Sequence, residues 1–116
     1  MRHSNRNKKF GRKRKVRVAL MRSLARSLVL RGKIETTEAR AKALRPFIER
    51  MVTGARAGTV AARRLAARRM GSVDGADLLF KNTVKKYEKR AGGYTRITKV
   101  GFRKSDGAKK AIIEFV

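Results

Sequence analysis

The chain has 116 residues, which suits one domain with a modest core rather than two domains. Its 33 Lys and Arg against 8 Asp and Glu leave a net charge of +25, an excess that repels itself in a compact state and calls for a polyanion, so nucleic acid is the expected partner. The lack of Cys excludes disulfides and thiolate metal sites, and no apolar run approaches the roughly 20 residues of a membrane span, so neither a disulfide scaffold nor a membrane protein is expected.

Residues 1–14 read as a basic N-terminal arm, and 15–116 as a single α/β domain. The opening MRHSNRNKKFGRKRK is dense in Lys and Arg, with only Met1 and Phe10 as sizeable apolar groups. Such a segment cannot bury enough surface to fold alone and should order only against a polyanion. It lacks the apolar stretch of a secretory signal. It is Arg-rich and acid-free like a transit peptide, yet shows no amphipathic face.

From Lys15 onward Val16, Leu20, Leu24 and Leu28 recur every four residues, predicting a helix with this apolar stripe. Lys15, Arg22 and Arg26 fall within about 40° of one another on another face, available to phosphates. Gly32 is placed to stop the helix, and Lys33 to Thr37 reads as a short strand. Thr37 caps a second helix with Glu38 in its first turn and Leu44, Phe47, Ile48, Met51 and Val52 on one face. Pro46 should kink or break that helix near Arg45.

Thr59 caps a third helix over 60–70, with Leu65 and Met70 on its apolar side and Arg63, Arg64, Arg68 and Arg69 on the other. Asp74 is the expected cap of a fourth helix, in which Phe80, Val84 and Tyr87 hold helical spacing before Ala91-Gly92-Gly93 ends it. Tyr94 to Phe102 and Ala108 to Val116 read as a β-hairpin turning at Ser105-Asp106-Gly107. The expected fold is therefore α+β and two-layered, in the order α-β-α-α-α-β-β, with a small three-stranded sheet covered by helices.

Chemistry is hard to find in this pattern. His3 is the only histidine and sits in the arm among cations, where an RNA contact is the commoner role than a base or ligand. The acids Glu35, Glu38, Glu49, Asp74, Asp77, Glu88, Asp106 and Glu114 are scattered, and none has a His or Cys at metal-ligand spacing. No phosphate-binding loop, zinc-finger spacing, leucine-zipper heptad or aromatic sheet motif of single-strand RNA binders occurs. No enzyme activity, cofactor, metal or small-molecule substrate is expected. Tyr94 and Phe102 could stack on bases, but packing is the commoner fate of such residues.

Several segments resemble the bacterial large-subunit ribosomal protein family numbered seventeen. These are Met1-Arg2-His3, then Leu30-Arg31-Gly32-Lys33-Ile34-Glu35-Thr36-Thr37, then Ala41-Lys42-Ala43-Leu44-Arg45-Pro46-Phe47-Ile48-Glu49. Gly92-Gly93-Tyr94-Thr95-Arg96-Ile97 and Ala111-Ile112-Ile113-Glu114 continue the resemblance to the end of the chain. It implies a two-layer domain that binds large-subunit (23S) ribosomal RNA near the mouth of the peptide exit tunnel, in the cytoplasm. It also implies a neighbour, the large-subunit protein numbered thirty-two.

The residues expected on RNA are Arg2, His3, Arg6, Lys8, Lys9, Arg12, Lys13, Arg14 and Lys15 of the arm and its junction, with Arg22, Arg26, Arg63, Arg64, Arg68 and Arg69 docking the body. Arginine and lysine there would fix position through charge and forked hydrogen bonds rather than read sequence. A nucleoid-type DNA-binding protein is the main alternative, but no dimer face or groove-reading element is evident. A cationic membrane-active peptide fits poorly with so long an organised sequence.

Overall fold

The computed structural model describes residues 9–116 and contains the expected elements in the expected order. They are α1 (Arg14–Arg31), β1 (Lys33–Thr37), α2 (Glu38–Ala55), α3 (Val60–Met70), α4 (Val73–Leu78), β2 (Thr95–Phe102) and β3 (Lys109–Phe115). A π-helical segment, Leu79–Val84, and one 3₁₀ turn, Lys85–Tyr87, prolong α4. The three strands form one antiparallel sheet in the order β1-β3-β2.

The sheet is organised by a row of isoleucines. Ile34, Ile113 and Ile97 lie side by side across the three strands. Ile113 is fully buried, and its two neighbours pack against the same core. On the opposite face Arg96 donates from Nε and Nη2 to Glu114 Oε1 at 3.1 and 2.7 Å. One face is therefore apolar beneath the helices and the other is polar, which is the two-layer arrangement.

Helix α2 supplies most of the cover, burying Ala41, Leu44, Ile48, Met51, Val52 and Ala55. The break expected at Pro46 is absent, because the helix runs uninterrupted across it. An interior proline costs about 3 kcal/mol, whereas each large apolar side chain buried on either side contributes about 1.5–3 kcal/mol. Leu44 and Ile48 flank the proline at zero exposure, so burial outweighs the lost hydrogen bond. Thr37 caps α2 by accepting from the Arg40 N–H, and Glu38 in its first turn pairs with Lys42 at 2.7 Å.

Helix α1 buries the stripe its four-residue spacing suggested only towards its C-terminal end. Ala25, Leu28 and Val29 are buried and Leu24 packs beside them, while Val16 is 53% exposed. A strict repeat of four advances about 40° per step around a helix, so Val16 lies about 120° away from Leu28. The first turns of α1 therefore overhang the body. Gly32 ends the helix in the left-handed conformation at φ 82°, its N–H donating to the Leu28 carbonyl at 2.7 Å.

Two smaller expectations are also corrected. Leu65 is 42% exposed, and α3 packs through Ala66 and Met70 instead. The cap of α4 is Ser72, whose Oγ accepts from the Gly75 N–H at 3.1 Å, while Asp74 sits inside the first turn, where the helix dipole favours it. Phe80, Val84 and Tyr87 are all buried as their spacing predicted.

Tyr94 is fully buried, so it belongs to the core and not to a base-stacking surface. Its hydroxyl donates to the Arg90 carbonyl and lies 3.1 Å from Thr53 Oγ1, while its ring tilts against Tyr87 at 5.2 Å. Next to it, Glu49 Oε1 accepts from the Thr95 N–H at 3.3 Å and the Thr95 hydroxyl at 2.9 Å. These contacts fasten the start of β2 to α2.

Candidate nucleic-acid interface

The expected cations form three groups. Arg2, His3, Arg6 and Lys8 lie outside the described residues. Lys9, Arg12, Lys13, Arg14 and Lys15 lead into and begin α1, and all are exposed. There Phe10 adopts φ 53°, and Arg12 Nη1 donates to its carbonyl at 2.8 Å, so the segment bends immediately before the helix.

The third group is assembled by tertiary packing around the α3–α4 junction. Arg22 projects from α1 with its guanidinium set against the end of α3. Its Nε donates to the Arg69 carbonyl and its Nη2 to the Arg68 carbonyl, both at 3.2 Å. The last carbonyls of a helix lack intrahelical donors and carry the negative end of the dipole, so a planar cation fits them. The approach is close: a Cβ at Gly71 would stand 3.1 Å from Arg22 Cδ. One turn further along α1, the stem of Arg26 lies over Gly75, with its Cγ 3.4 Å from where a Cβ there would be.

Arg22 thereby meets the end of α3, where Arg68 and Arg69 stand with Arg64 one turn back, while Arg26 lies against α4. Arg26, Arg64, Arg68 and Arg69 are exposed. Arg63 is turned to other work: its guanidinium sits 4.7 Å above the Phe80 ring and 3.9 Å from Asp77. Lys15, Arg22 and Arg26 share a helix face as the sequence indicated, yet Arg22 is committed to backbone carbonyls.

Acidic groups do little to neutralise this surface. Among the described residues the ion pairs occupy Lys42, Arg45, Arg63, Arg96, Lys99, Arg103 and Lys110. None of those pairs involves Arg26, Arg64, Arg68 or Arg69. Three of the paired carboxylates, Glu38, Asp106 and Glu114, lie below their ordinary values. The hydrogen bond from Arg103 brings Asp106 down from 3.8 to about 2. Lys42 and Arg96 likewise lower Glu38 and Glu114.

Sequence reasoning missed further cations. Lys81, Lys85, Lys86 and Lys89 line the exposed side of the segment prolonging α4. Lys99, Lys104 and Lys109 surround the outer end of the hairpin, where Phe102 is 67% exposed. For Lys89 and the hairpin lysines the available signal was the poverty of acids after Glu88, where only Asp106 and Glu114 remain.

A surface of this kind can hold phosphates at many points. Catalysis has no comparable assembly, and among the described residues no group of three or more His, Cys, Asp or Glu could hold a metal. No described helix is long and apolar enough to cross a membrane.

Comparison with known proteins agrees with this picture. The family model described as ribosomal protein L17 matches residues 20–116. The large ribosomal subunit protein bL17 of Gemmatimonas aurantiaca is 50% identical over 116 residues, covering 100% of this chain and 98% of that protein. Its namesake from a Hydrogenobaculum species is 50% identical over 117 residues, covering 100% and 99%. That of Thermomicrobium roseum is 44% identical over 116 residues, covering 100% and 99%. These relatives extend the likeness through residues 1–19, which the family model leaves out. Matched by the model over most of its length and by such relatives from end to end, the chain belongs to the ribosomal protein L17 family, a structural component of the ribosome and not an enzyme.

Proposed function

We propose that this chain is a structural constituent of the large ribosomal subunit that binds and stabilises folded 23S ribosomal RNA near the mouth of the peptide exit tunnel. The observation that carries the RNA-binding part is the cationic junction of α1, α3 and α4. There the fork from Arg22 joins α1 to the end of α3, and Arg26, Arg64, Arg68 and Arg69 on these helices are exposed and enter no ion pair among the described residues. Residues 1–14 act as an arm that orders on RNA, continuing the cationic track of Arg14 and Lys15 at the overhanging start of α1. Residues 15–116 form the body that docks. The tunnel position and a contact with the large-subunit protein numbered thirty-two follow from the family resemblance alone, and they complete the reading.

Phosphate contact of this extent makes binding steeply salt-dependent. With about ten cations on phosphates, log affinity falls against log salt with a slope of roughly −7 to −9. The test measures binding of the full chain and of a chain lacking residues 1–14 to deproteinised 23S ribosomal RNA over a salt series. The shortened chain should bind more weakly and with a shallower slope, while its helical circular dichroism stays close to that of the full chain. Unchanged affinity after the deletion rejects the arm's role, and a slope near −2 for the full chain rejects extensive phosphate contact.

A further inference from the structure

The outer end of the hairpin has a construction that the cationic junction does not explain. Strand β1 pairs with β3 only as far as Thr37 opposite Lys110. Beyond that point the sheet is a two-stranded ribbon, and every residue from Thr98 to Gly107 is exposed. A bare ribbon is marginally stable in water. This one is stiffened at its tip, where Arg103 grips Asp106 through Nε at 2.9 Å and Nη2 at 2.6 Å. Asp106 also accepts from the Ala108 N–H at 3.1 Å.

Just before the ribbon, where β1 still pairs with the other edge of β3, the pairing shifts between Lys99 opposite Ala111 and Gly101 opposite Lys110, leaving Val100 as the extra residue of a β-bulge. Gly101 there has φ 104°, a conformation open to glycine and strained for other residues. The shift has a consequence for side-chain direction. In unbroken alternation Thr95, Ile97 and Lys99 share one face and Phe102 falls on the other. One inserted residue exchanges the faces from that point on. Phe102 therefore stands opposite Lys109, on the same side of the sheet as Ala111 and Ile113. It continues the apolar face of the sheet past the end of its helical cover, close to where α2 begins: Lys99 Nζ, two pairs inward, is 3.6 Å from Glu38. The bulge thus aims a large ring into open solvent at 67% exposure.

We infer that Phe102 is a stacking platform for an unpaired base of RNA, with Lys104 and Lys109 holding the adjoining phosphates. The charge around the ring selects this occupant. From residue 99 to 110 the hairpin carries Lys99, Arg103, Lys104, Lys109 and Lys110 against Asp106, which Arg103 clasps, and the one acid beside it on α2, Glu38, is held by Lys42 and Lys99. Among the described residues Lys104 and Lys109 enter no ion pair. An aromatic ring flanked by unpaired cations matches the two chemistries of a single-stranded nucleotide, a π-face and a phosphate. This rests on the RNA-binding reading and adds a second, aromatic contact on a different element.

The chain contains no Trp, so Phe102→Trp creates a single reporter at the site. Deproteinised 23S ribosomal RNA is titrated into the full-length wild-type chain and into Phe102→Ala, Phe102→Leu and Phe102→Trp. Stacking predicts that Phe102→Ala and Phe102→Leu each lose about 5- to 100-fold in affinity with an unchanged salt slope, because no charge is removed. Phe102→Trp keeps its affinity, and RNA quenches its fluorescence. Lys104→Ala should reduce the salt slope by about 0.7–0.9. Wild-type affinity in Phe102→Ala, or fluorescence that RNA leaves unmoved, overturns the inference while leaving RNA binding by the junction intact. Full affinity in Phe102→Leu overturns stacking as well, since an apolar contact would then suffice. Should the wild-type chain fail to bind the RNA, both this inference and the RNA-binding reading fall.

Discussion

Replacing Arg22 separates two roles that a basic side chain on this surface can have. A phosphate ligand contributes to affinity and salt dependence and little to folding. The structure instead sets the Arg22 guanidinium on the Arg68 and Arg69 carbonyls, two hydrogen bonds of 3.2 Å. Hydrogen bonds to a charged group contribute about 1.5–3 kcal/mol each in sheltered sites. These are long and open to solvent, so together they should contribute about 1–2 kcal/mol, including the favourable dipole of the α3 end. Arg22→Ala should lower unfolding free energy by about that amount in high-salt buffer, where the remaining cations are screened. For a chain of this size the midpoint of thermal unfolding should fall on the order of 5–10 °C, followed by circular dichroism. Arg22→Lys keeps the charge but not the fork, and should recover less than half of the loss. RNA affinity should drop with the disturbed junction while the salt slope barely changes. Arg68→Ala should do the reverse, leaving stability nearly intact and cutting the slope by about 0.7–0.9. If Arg22→Ala unfolds like the wild type yet loses a full unit of slope, Arg22 is a phosphate ligand and the clasp has been misread.

Two other substitutions test local parts of the fold. Glu49→Ala strips the acceptor from the N–H and hydroxyl of buried Thr95 and should destabilise the domain by about 1–3 kcal/mol in denaturant titrations, with hydrogen exchange fastest at the start of β2. At the hairpin tip, Asp106 titrates below its ordinary value, so its clasp with Arg103 is fully present above pH 4 and is lost as pH falls through about 2. A carboxyl titration by NMR should find that midpoint near 2, and Arg103→Ala should return it towards 3.8.

The sequence was most legible where one residue settles a local question. Gly32 ends α1, Thr37 and Thr59 cap their helices, and Asp106-Gly107 turns the hairpin because each needs only neighbours in the chain. It misled where a local rule competes with burial. Pro46 pointed to a kink or a break in α2, and the break does not occur, because Leu44 and Ile48 on either side are worth more buried than the proline costs. The every-four spacing of Val16, Leu20, Leu24 and Leu28 was taken for a core stripe, though it winds around the helix and leaves Val16 in solvent. Leu65 looked apolar enough for the core, yet Ala66 and Met70 meet the body instead.

What the sequence determined by itself is the class of the protein: a charge of +25 favours a polyanionic partner, and the element order follows from periodicity, caps and turns. Only the tertiary structure decided which arginines face outward together. Charge is a sum over the chain and needs no coordinates, whereas the direction of a side chain depends on which helix stands against it. Arg22 and Arg68 look alike in sequence until α3 brings its unpaired carbonyls to Arg22 and leaves Arg68 exposed. The same holds for Phe102, whose face was reversed by one bulged residue that no alternation of hydrophobic and polar residues announces.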